Sequence, residues 1–459
     1  MSSTTPLETE DFDYTANRPA ITLHSEYTDQ PAEEQKHRSH DPYVASFPEG
    51  GLRGWMAVAG AFLTLFVGGI EYAFGVFITY YLTHNLRTYS PSQVAWIGSA
   101  SAFIHSLVGL LVGKLYDDGY YRHLIIFGST LHVLSIMMLS LCTKYWQIWI
   151  TQGLMMGVAT GCLFQPSVAI VSQYFERRRA FAMGIVQAGA SLGGILTPIM
   201  VNKLIPKVGF GWGVRSVGFL VFGLLVIANL SVSTRLPSRR RGAATISNFP
   251  TIDWKTFFDG AFVATVLGCF FMQMGTSLPY GYITSFGQLE GHISPSLAFY
   301  LLPLTFAGGL FGSPIWAYLG DILGVLNVVM FSTFISSGLL ATILACKTDG
   351  AAITVSILYG FFSAGYQAMG GPVFATLSNT VLEVGHRMGT GYFIAGVATL
   401  IASPIQGALL GTDYIWWKPI VFCVLSLVLG VVLMGVGRLL LIKRRGSERK
   451  LWKTSFVRL

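Results

Sequence analysis

Long apolar stretches separated by short polar segments dominate this chain. Four examples are residues 54–82, 93–113, 124–142 and 417–440, each with few charges. At about 1.5 Å of rise per helical residue, a stretch of about 20 residues crosses the roughly 30 Å hydrocarbon core of a bilayer. Roughly six such stretches precede a polar, basic break at 234–254, and roughly six follow it. The pattern predicts an all-α polytopic membrane protein with twelve transmembrane helices in two halves.

The composition favours a membrane protein over a soluble one. Hydrophobic residues make up 52% and charged residues only 11% of the 459 residues, and the mean hydropathy is +0.57. A soluble chain of this composition would expose large apolar patches. The formal net charge is +8, but Lys and Arg lie in loops and tails between the apolar stretches, so nucleic acid is not an expected partner.

The distribution of Lys and Arg predicts the orientation of the chain. The first residues carry scattered acidic and small polar residues and little apolar content, which predicts a disordered tail and not a signal peptide. With that tail in the cytosol, the predicted inner side receives most Lys and Arg, including clusters at 239–241 and 443–445. We expect both termini in the cytosol and the protein in the plasma membrane, with a vacuolar or other endomembrane as the alternative. The predicted segments are a disordered cytosolic tail (1–52), a six-helix bundle (53–233), a basic cytosolic linker (234–255), a second six-helix bundle (256–441) and a basic cytosolic tail (442–459).

The two halves resemble each other internally. Predicted helix 4 reads GLMMGVATGCLFQP at 153–166, and the corresponding stretch of helix 10 reads GFFSAGYQAMGGP at 360–372. Helix 5 begins MGIVQAGASLGG and reaches Pro198, and helix 11 begins MGTGYFIAGVATL and reaches Pro404. Small residues let helix backbones approach closely, and proline provides a bend. The repeat predicts two pseudo-symmetric bundles that move against each other, with static packing as the alternative role of any single glycine.

Two motifs of the first half are specific enough to compare with known families. EGGLRGW at 49–55 looks like an acidic-Gly-Gly…Trp signature at the entry to a first helix, and YFERRRAFAMGIVQAGASLGG at 174–194 looks like a second signature across helices 4 and 5. In both, the chain resembles the monocarboxylate porter branch of the major facilitator superfamily, in the form common in filamentous fungi. The resemblance implies the major facilitator fold and secondary active, proton-coupled transport of a small organic molecule of monocarboxylate type.

Two loops resemble the conserved cytosolic loops of that superfamily. GKLYDDGYYRH at 113–123 resembles its Gly-x-x-x-Asp loop, although Asp118 stands where a basic residue is usual, and AYLGDILG at 317–324 is a weaker counterpart. The resemblance implies that such an acid accepts hydrogen bonds from the start of a neighbouring helix and locks one conformation. A plain charge at a helix end is the alternative. The predicted gating residues are Gly113, Asp117, Arg122, Arg177, Arg178, Asp321 and Gly324.

The positions that would bind a carboxylate in this family carry no cation here. Trp149 replaces a frequent buried arginine, and Val76 replaces a lysine of the mammalian monocarboxylate transporters. Gly309 and Ser313 replace the aspartate and arginine of their helix 8. A carboxylate needs such a partner in a medium of low dielectric constant. Efflux of a metabolite that lacks a carboxylate is therefore the alternative function.

Few ionisable residues lie within the apolar stretches, and Glu71 in helix 1 and His105 in helix 2 stand out. Both are about 15–18 Å from the predicted outer end of their helices, so the two can interact. Charges at that depth are rare unless they serve a function, and a carboxyl group in apolar surroundings can exchange a proton near neutral pH. Glu71 is predicted to couple or bind, with a neutral hydrogen-bonded carboxyl as the alternative. His105 is a weaker candidate, and His132 is predicted to be structural or interfacial.

Polar and aromatic residues complete the predicted binding site. One face of helix 5 carries Gly184, Gln187, Ser191, Gly194 and Pro198, which predicts contact with a cavity or another helix. The resemblance implies that helices 1, 4, 7 and 10 line the cavity, where glutamines contact substrate or other helices and aromatic rings supply stacking surface. The candidates for binding substrate or protons are Glu71, His105, Gln165, Gln187, Gln273, Gln367, Phe74, Phe164, Tyr280 and Tyr366.

Other classes of function fit the sequence less well. The five cysteines show no paired spacing, so neither disulfides nor a metal site is expected. An ATP-driven pump would carry a Gly-Lys-Ser/Thr phosphate loop, and a membrane enzyme would need a cluster of acids and histidines. A transporter-like nutrient sensor would carry a long cytosolic extension. We therefore expect a transporter and no enzyme, without cofactor, whose partners are a small-molecule substrate, protons and the lipid bilayer.

Overall fold

The computed structural model is helical throughout the residues that it describes, which are 50–117, 119–171, 173–175, 178–232, 259–289, 293–377, 381–411 and 414–446. No strand occurs within these ranges. The predicted linker at 234–255, residues 1–49 of the N-terminal tail and residues 447–459 of the C-terminal tail lie outside them. The described residues all belong to a single compact unit, so the division into two bundles stays a prediction.

Twelve helices follow one another in the described chain, and their numbers match those of the predicted helices. The first half contains α1 (Gly51–Gly68, a 3-10 turn at Gly69–Ala73, and Phe74–Thr83), α2 (Pro91–Asp117), α3 (Tyr121–Leu139), α4 (Tyr145–Ile148, a π-helical turn at Trp149–Met155, and Met156–Val171), and α5 and α6, which are the parts of Arg179–Ser231 before and after Gly209. The second half contains α7 (Gly260–Leu289), α8 (Pro295–Leu323), α9 (Val325–Thr342 with Ile343–Ala345), α10 (Asp349–Ala368 and Gly370–Thr376), α11 (Val381–Leu410) and α12 (Trp417–Gly446).

Length and apolar composition explain why these helices suit a bilayer. Ten helical stretches of the described chain are long and apolar enough to cross a membrane, and the stretch Arg179–Ser231 contains two helices. These two are separated at Gly209, whose φ of 76° is a conformation that glycine adopts at little cost. The predicted all-α polytopic fold is confirmed.

Three interruptions occur inside helices of the described chain. The 3-10 turn of α1 contains Gly69, where a Cβ atom would lie 2.7 Å from the Cα of Gly193 in α5. The π-helical turn of α4 places Gln152 where its side-chain oxygen accepts a 2.7 Å hydrogen bond from the hydroxyl of buried Tyr81. In α10 the break is at Met369. Irregular backbone inside a membrane is stable where protein surrounds it, and all three breaks meet that condition.

The two halves contact each other along α5 and α8 and along α2 and α11. A Cβ atom on Gly184 would lie 2.7 Å from the backbone oxygen of Ser313, and one on Gly194 would lie 2.8 Å from the ring of Phe306. Ser191 lies between them on the same face and approaches Gly309. The face of small residues predicted for helix 5 is therefore the contact surface with α8.

Asp321 connects the halves at the end of the protein predicted to face the cytosol. Its Oδ1 accepts a 3.2 Å hydrogen bond from the N–H of Ala180, and its Oδ2 accepts a 3.0 Å bond from the N–H of Phe181. Both N–H groups belong to the first turn of α5, where the helix dipole favours a negative charge. Three residues after Asp321, Gly324 has a φ of 91° and directly precedes α9. Hydrogen bonds from α8 to the first turn of α5 are the geometry expected of a lock that keeps this end closed. The locking role of Asp321 stays a prediction.

The other predicted gating residues have varied surroundings. Arg122 donates a 3.4 Å hydrogen bond to the backbone oxygen of Val232 and so joins the start of α3 to the end of α6. Arg178 is exposed directly before α5, and Gly113 has open space where a Cβ would be. Asp117 ends α2. The side chain of Asp117 and the whole of Arg177 lie outside the described part of the chain.

A partly buried ion cluster joins four helices of the second half at the same end. Arg387 of α11 is only 3% exposed and donates to Asp259, before α7, at 3.2 Å and to the backbone oxygen of Leu377, after α10, at 2.6 Å. Arg444 of α12 donates to the same two groups. Because removing one partner would leave a buried charge without its counterion, the cluster fixes these helix ends relative to one another.

The close approach of α10 to α8 predicts that Gly360→Ala destabilises the fold. A Cβ atom at Gly360 would overlap the backbone oxygen of Thr305, and backbone cannot move aside as a flexible side chain can. We expect a loss of about 1–3 kcal/mol, the usual cost of overpacking. The measurement is the thermal unfolding temperature of the purified protein in mild detergent, read from the folded fraction that size-exclusion chromatography recovers after heating.

Gly338→Ala is the matched control because Gly338 is an exposed helix residue of α9 with no atom near the position of a Cβ. We expect this variant to unfold at the same or a slightly higher temperature, since alanine favours helix. Equal unfolding temperatures for Gly360→Ala and the native protein would contradict the proposed contact.

Removing the Asp321 carboxylate is expected to open the contact between α5 and α8. Ser313→Cys places a thiol of similar size at this buried contact, and its reaction with a water-soluble maleimide reports separation of the helices. In that background, Asp321→Ala should raise the labelling rate roughly tenfold, the effect of about 1.4 kcal/mol. Asp349→Ala is the control, because Asp349 accepts from the N–H of Ser294 at the start of α8, away from this contact. Equal rates in Asp321→Ala and the control would show that Asp321 does not hold the helices together.

Candidate functional site

Glu71 lies in the 3-10 turn that interrupts α1, and this turn directs its carboxyl group toward α2. The Oε2 atom is 3.9 Å from Nδ1 of His105, and the two side chains are 22% and 23% exposed. This distance is too long for a direct hydrogen bond, and the contact becomes an ion pair when the imidazole is protonated. The structure thus brings together the two ionisable residues that the sequence places at similar depth.

A cavity of ≈ 60 Å³ surrounds this carboxyl group and is formed entirely by the first half. Its polar lining comes from α1 to α5 and includes Thr64, Glu71, His105, His132, Thr160 and Gln187. Four of the residues predicted from the sequence, Glu71, His105, Phe164 and Gln187, meet here. Such a volume suits water or a small group better than a whole metabolite, because ligand pockets usually reach about 300–1,000 Å³.

His132 of α3 also lines this cavity, although the sequence predicts only a structural or interfacial role for it. The side chain is fully buried, at 0% exposure, and neither ring nitrogen has a hydrogen-bond partner among the described residues. The Oε1 atom of Glu71 is likewise buried without a partner in this part of the chain. The sequence does contain one indication of a role in this cavity. His132 lies about midway along the predicted helix 3 and thus near the depth of Glu71.

An aromatic cluster joins the two halves directly beside this cavity. The ring of Tyr72, the neighbour of Glu71, lies 4.5 Å from the ring of Phe306 and 6.3 Å from that of Tyr280, measured between centroids. The Tyr280 hydroxyl is 2.9 Å from the Ser363 hydroxyl and accepts a 2.8 Å hydrogen bond from the Gln367 amide. Helices α1, α7, α8 and α10 therefore meet at a surface with stacking rings and polar groups, which small-molecule sites commonly combine.

Two candidates of the second half form hydrogen bonds within the bundle. The Gln273 amide donates a 3.1 Å bond to the Thr399 hydroxyl and joins α7 to α11. The Tyr366 hydroxyl donates a 3.1 Å bond to the backbone oxygen of Cys269, and its ring is buried in a core between α7, α8 and α10. Both residues thus have packing roles in this conformation.

The remaining aromatic and glutamine candidates line the contacts of α2. The ring of Phe74 fills the space beside Gly98, and the side chain of Gln165 lies beside Gly109. Phe164 contacts the imidazole of His105 edge to face, with 5.2 Å between ring centroids. Of these three residues, Phe164 lines the cavity of Glu71, whereas Phe74 and Gln165 pack against α2 outside its lining.

The charge of the cavity is set by one acid and two imidazoles. None of the described residues that line it is Lys or Arg. In α8, the Ser313 hydroxyl donates to the backbone oxygen of Gly309 within the same helix. Within the described ranges, no three His, Cys, Asp or Glu side chains are arranged to hold a metal ion. The chemistry that this arrangement supports is uptake and release of protons.

Known transporters resemble this chain in sequence. Its sequence matches the family model of the Major Facilitator Superfamily over residues 60–312. It is 37% identical over 376 residues to the aspyridones efflux protein apdF of Emericella nidulans, covering 82% of this chain and 75% of that protein. It is 34% identical over 373 residues to the fujikurins efflux protein of Gibberella fujikuroi, covering 79% and 77%. An MFS-type transporter of Gibberella moniliformis is 35% identical over 421 residues, covering 91% and 97%.

The fold has a close counterpart among solved structures. The crystal structure of the Escherichia coli fucose:proton symporter FucP superposes with a TM-score of 0.61 at 15% identity, covering 82% of this chain and 98% of that chain. At this identity the likeness concerns the fold alone. Because the family model spans more than half of the chain and several relatives exceed 30% identity over most of their length, this chain belongs to the Major Facilitator Superfamily of membrane transporters.

Proposed function

We propose that this chain exports a small organic metabolite by alternating access, in exchange for protons that bind at Glu71. The observation that carries the proposal is the cavity in which Glu71 faces two histidines and no Lys or Arg among the described residues that line it. Two relatives are themselves named as efflux proteins, for aspyridones and for fujikurins. For an exporter we propose the plasma membrane, with both termini in the cytosol.

The charge of the site favours a substrate without a carboxylate. A carboxylate close to Glu71 would place two negative groups in a medium of low dielectric constant, where repulsion is strong and solvation weak. A neutral substrate avoids this repulsion, and a substrate that donates hydrogen bonds also suits the hydroxyl and amide groups around Tyr280. Monocarboxylate transport remains the other prediction, and the assay below distinguishes the two by the sign of a pH change.

The proposed cycle uses the two contacts between the halves. With the Asp321 end closed, substrate is released on the opposite side and Glu71 takes up a proton there. Opening of the α5–α8 and α2–α11 contacts then exposes the site to the cytosol, where Glu71 releases the proton and substrate binds. The contact of Gly184 and Gly194 with α8 is suited to opening and closing, because small residues let the two helices meet at close range without interlocking side chains from α5.

Proton exchange is tested in liposomes that contain the purified protein and a trapped pH indicator. Aspyridones, fujikurins and a series of monocarboxylates are added outside, one at a time. Entry of a metabolite in exchange for internal protons raises the internal pH, whereas entry of a monocarboxylate together with protons lowers it. We expect the rise, and we expect Glu71→Gln to abolish it because an amide cannot release a proton at this pH.

Asp349→Asn removes a carboxylate far from the cavity and should keep the native response, which makes it the matched control. An unchanged response in Glu71→Gln would exclude Glu71 as the exchanging group. A fall in internal pH with monocarboxylates alone would replace metabolite export by carboxylate symport.

The aromatic cluster predicts a binding defect in Tyr280→Phe. The change removes the hydroxyl that is bonded to Gln367 and near Ser363 while the ring remains. We expect the KM of the transported metabolite to rise about 5–10-fold with kcat nearly unchanged, as expected when a hydrogen bond of roughly 1 kcal/mol is lost from binding. Tyr282→Phe is the control, since that hydroxyl donates to the backbone of Ser403. Equal KM values for the two variants would exclude Tyr280 from substrate binding.

A further inference from the structure

The buried imidazole of His132 has no evident structural purpose. Its ring lies at the wall of the Glu71 cavity with 0% exposure. A neutral imidazole carries one donor and one acceptor, and buried groups of this kind normally have partners. Neither nitrogen has one among the described residues, although the backbone oxygen of His132 accepts a 2.8 Å bond from the Ser135 hydroxyl. An apolar ring would fill this space without leaving polar atoms unpaired.

The unpaired atoms of His132 and Glu71 belong to one cavity. Oε1 of Glu71 is buried without a partner in the described chain, and its Oε2 is the atom nearest to His105. The carboxyl group therefore has one oxygen on the side of His105 and one available to the rest of the cavity. A volume of ≈ 60 Å³, whose mainly apolar wall also carries Thr64, Thr160 and Gln187, leaves room for water between donor and acceptor.

Few other groups near His132 can titrate. Glu71 and Tyr72 face the cavity from α1, and His105 faces it from α2. On α4, Cys162 is buried beside Gly128, one turn before His132 in α3. From α5, Gln187 contributes an amide that does not titrate. The acid and the two imidazoles are thus the groups around this cavity that can exchange a proton.

We propose that His132 is a second proton-binding group of the transport site and exchanges its proton with Glu71 across the cavity. The proton leaves the carboxyl group of Glu71 and binds a ring nitrogen of His132, which produces a carboxylate and an imidazolium without changing the net charge of the cavity. The inference rests on the proposed proton exchange at Glu71 and adds to it the place where the proton resides when Glu71 is ionised.

Infrared spectroscopy of the full-length protein in lipid tests this exchange without any substrate. The C=O stretching band of a protonated carboxyl group is followed during a pH titration, and the part lost in Glu71→Gln is assigned to Glu71. In His132→Asn we expect the titration midpoint of this band to be displaced by roughly one pH unit, a tenfold change in the proton equilibrium. His132→Gln should show the same displacement with a longer polar side chain, in case the shorter one disturbs folding.

His84→Asn is the matched control, because His84 is exposed at the end of α1 and stacks on Tyr80 outside the cavity. Its titration should coincide with that of the native protein. If folded His132→Asn and His132→Gln both titrate as the native protein does, the inference is overturned while proton exchange at Glu71 stands. If the native protein shows no band that Glu71→Gln removes, the proton step of the proposed function fails and the inference fails with it.

Discussion

The absence of water in the bilayer core is the constraint on which the rest of the structure depends. Backbone N–H and C=O groups at that depth must be paired within the protein, so the described chain forms helix after helix and its irregular turns are enclosed by neighbours. The same constraint makes each ionisable side chain costly. It accounts for the sparse charge of the spans and for the placement of Glu71, His105 and His132 in one shared cavity.

Close helix packing is the second determinant, and it depends on residues that contribute almost no surface. Hydrophobic burial cannot drive helices together in lipid, because lipid tails are as apolar as leucine, so contact between backbones has to do so. Gly360 against Thr305 and Gly69 against Gly193 are such contacts within each half. Gly184 against Ser313 is the corresponding contact between the halves. The contacts within each half and the α5–α8 contact between the halves therefore use the same type of packing. The α5–α8 contact differs in the hydrogen bonds of Asp321 at its end.

Much of the fold could be predicted from the sequence because span length and loop charge are local properties. The number and order of the helices follow from them, as does the meeting of Glu71 and His105, since two antiparallel neighbours place residues of similar depth side by side. Which face of a helix meets the cavity depends on contacts with helices that are distant in the chain. Tyr366 and Gln273 share helices with Gln367 and Tyr280 of the aromatic cluster, yet their side chains bond to α7 and α11. His132 was missed for the same reason, because its unpaired nitrogens become apparent only when α1, α2 and α4 surround it.

The 3-10 turn of α1 has a mechanical consequence. Glu71 and Tyr72 are consecutive residues of this five-residue turn; both line the cavity, and the ring of Tyr72 also stacks against Phe306 of the second half. A 3-10 turn rises about 2.0 Å per residue where an α-helix rises about 1.5 Å, so a switch between the two would lengthen or shorten α1 by roughly 2.5 Å over this segment. Because the two residues are neighbours in the chain, such a switch would displace Glu71 and Tyr72 together. A change at the Glu71 carboxyl group in the first half would therefore also change the contact of Tyr72 with Phe306 in the second half.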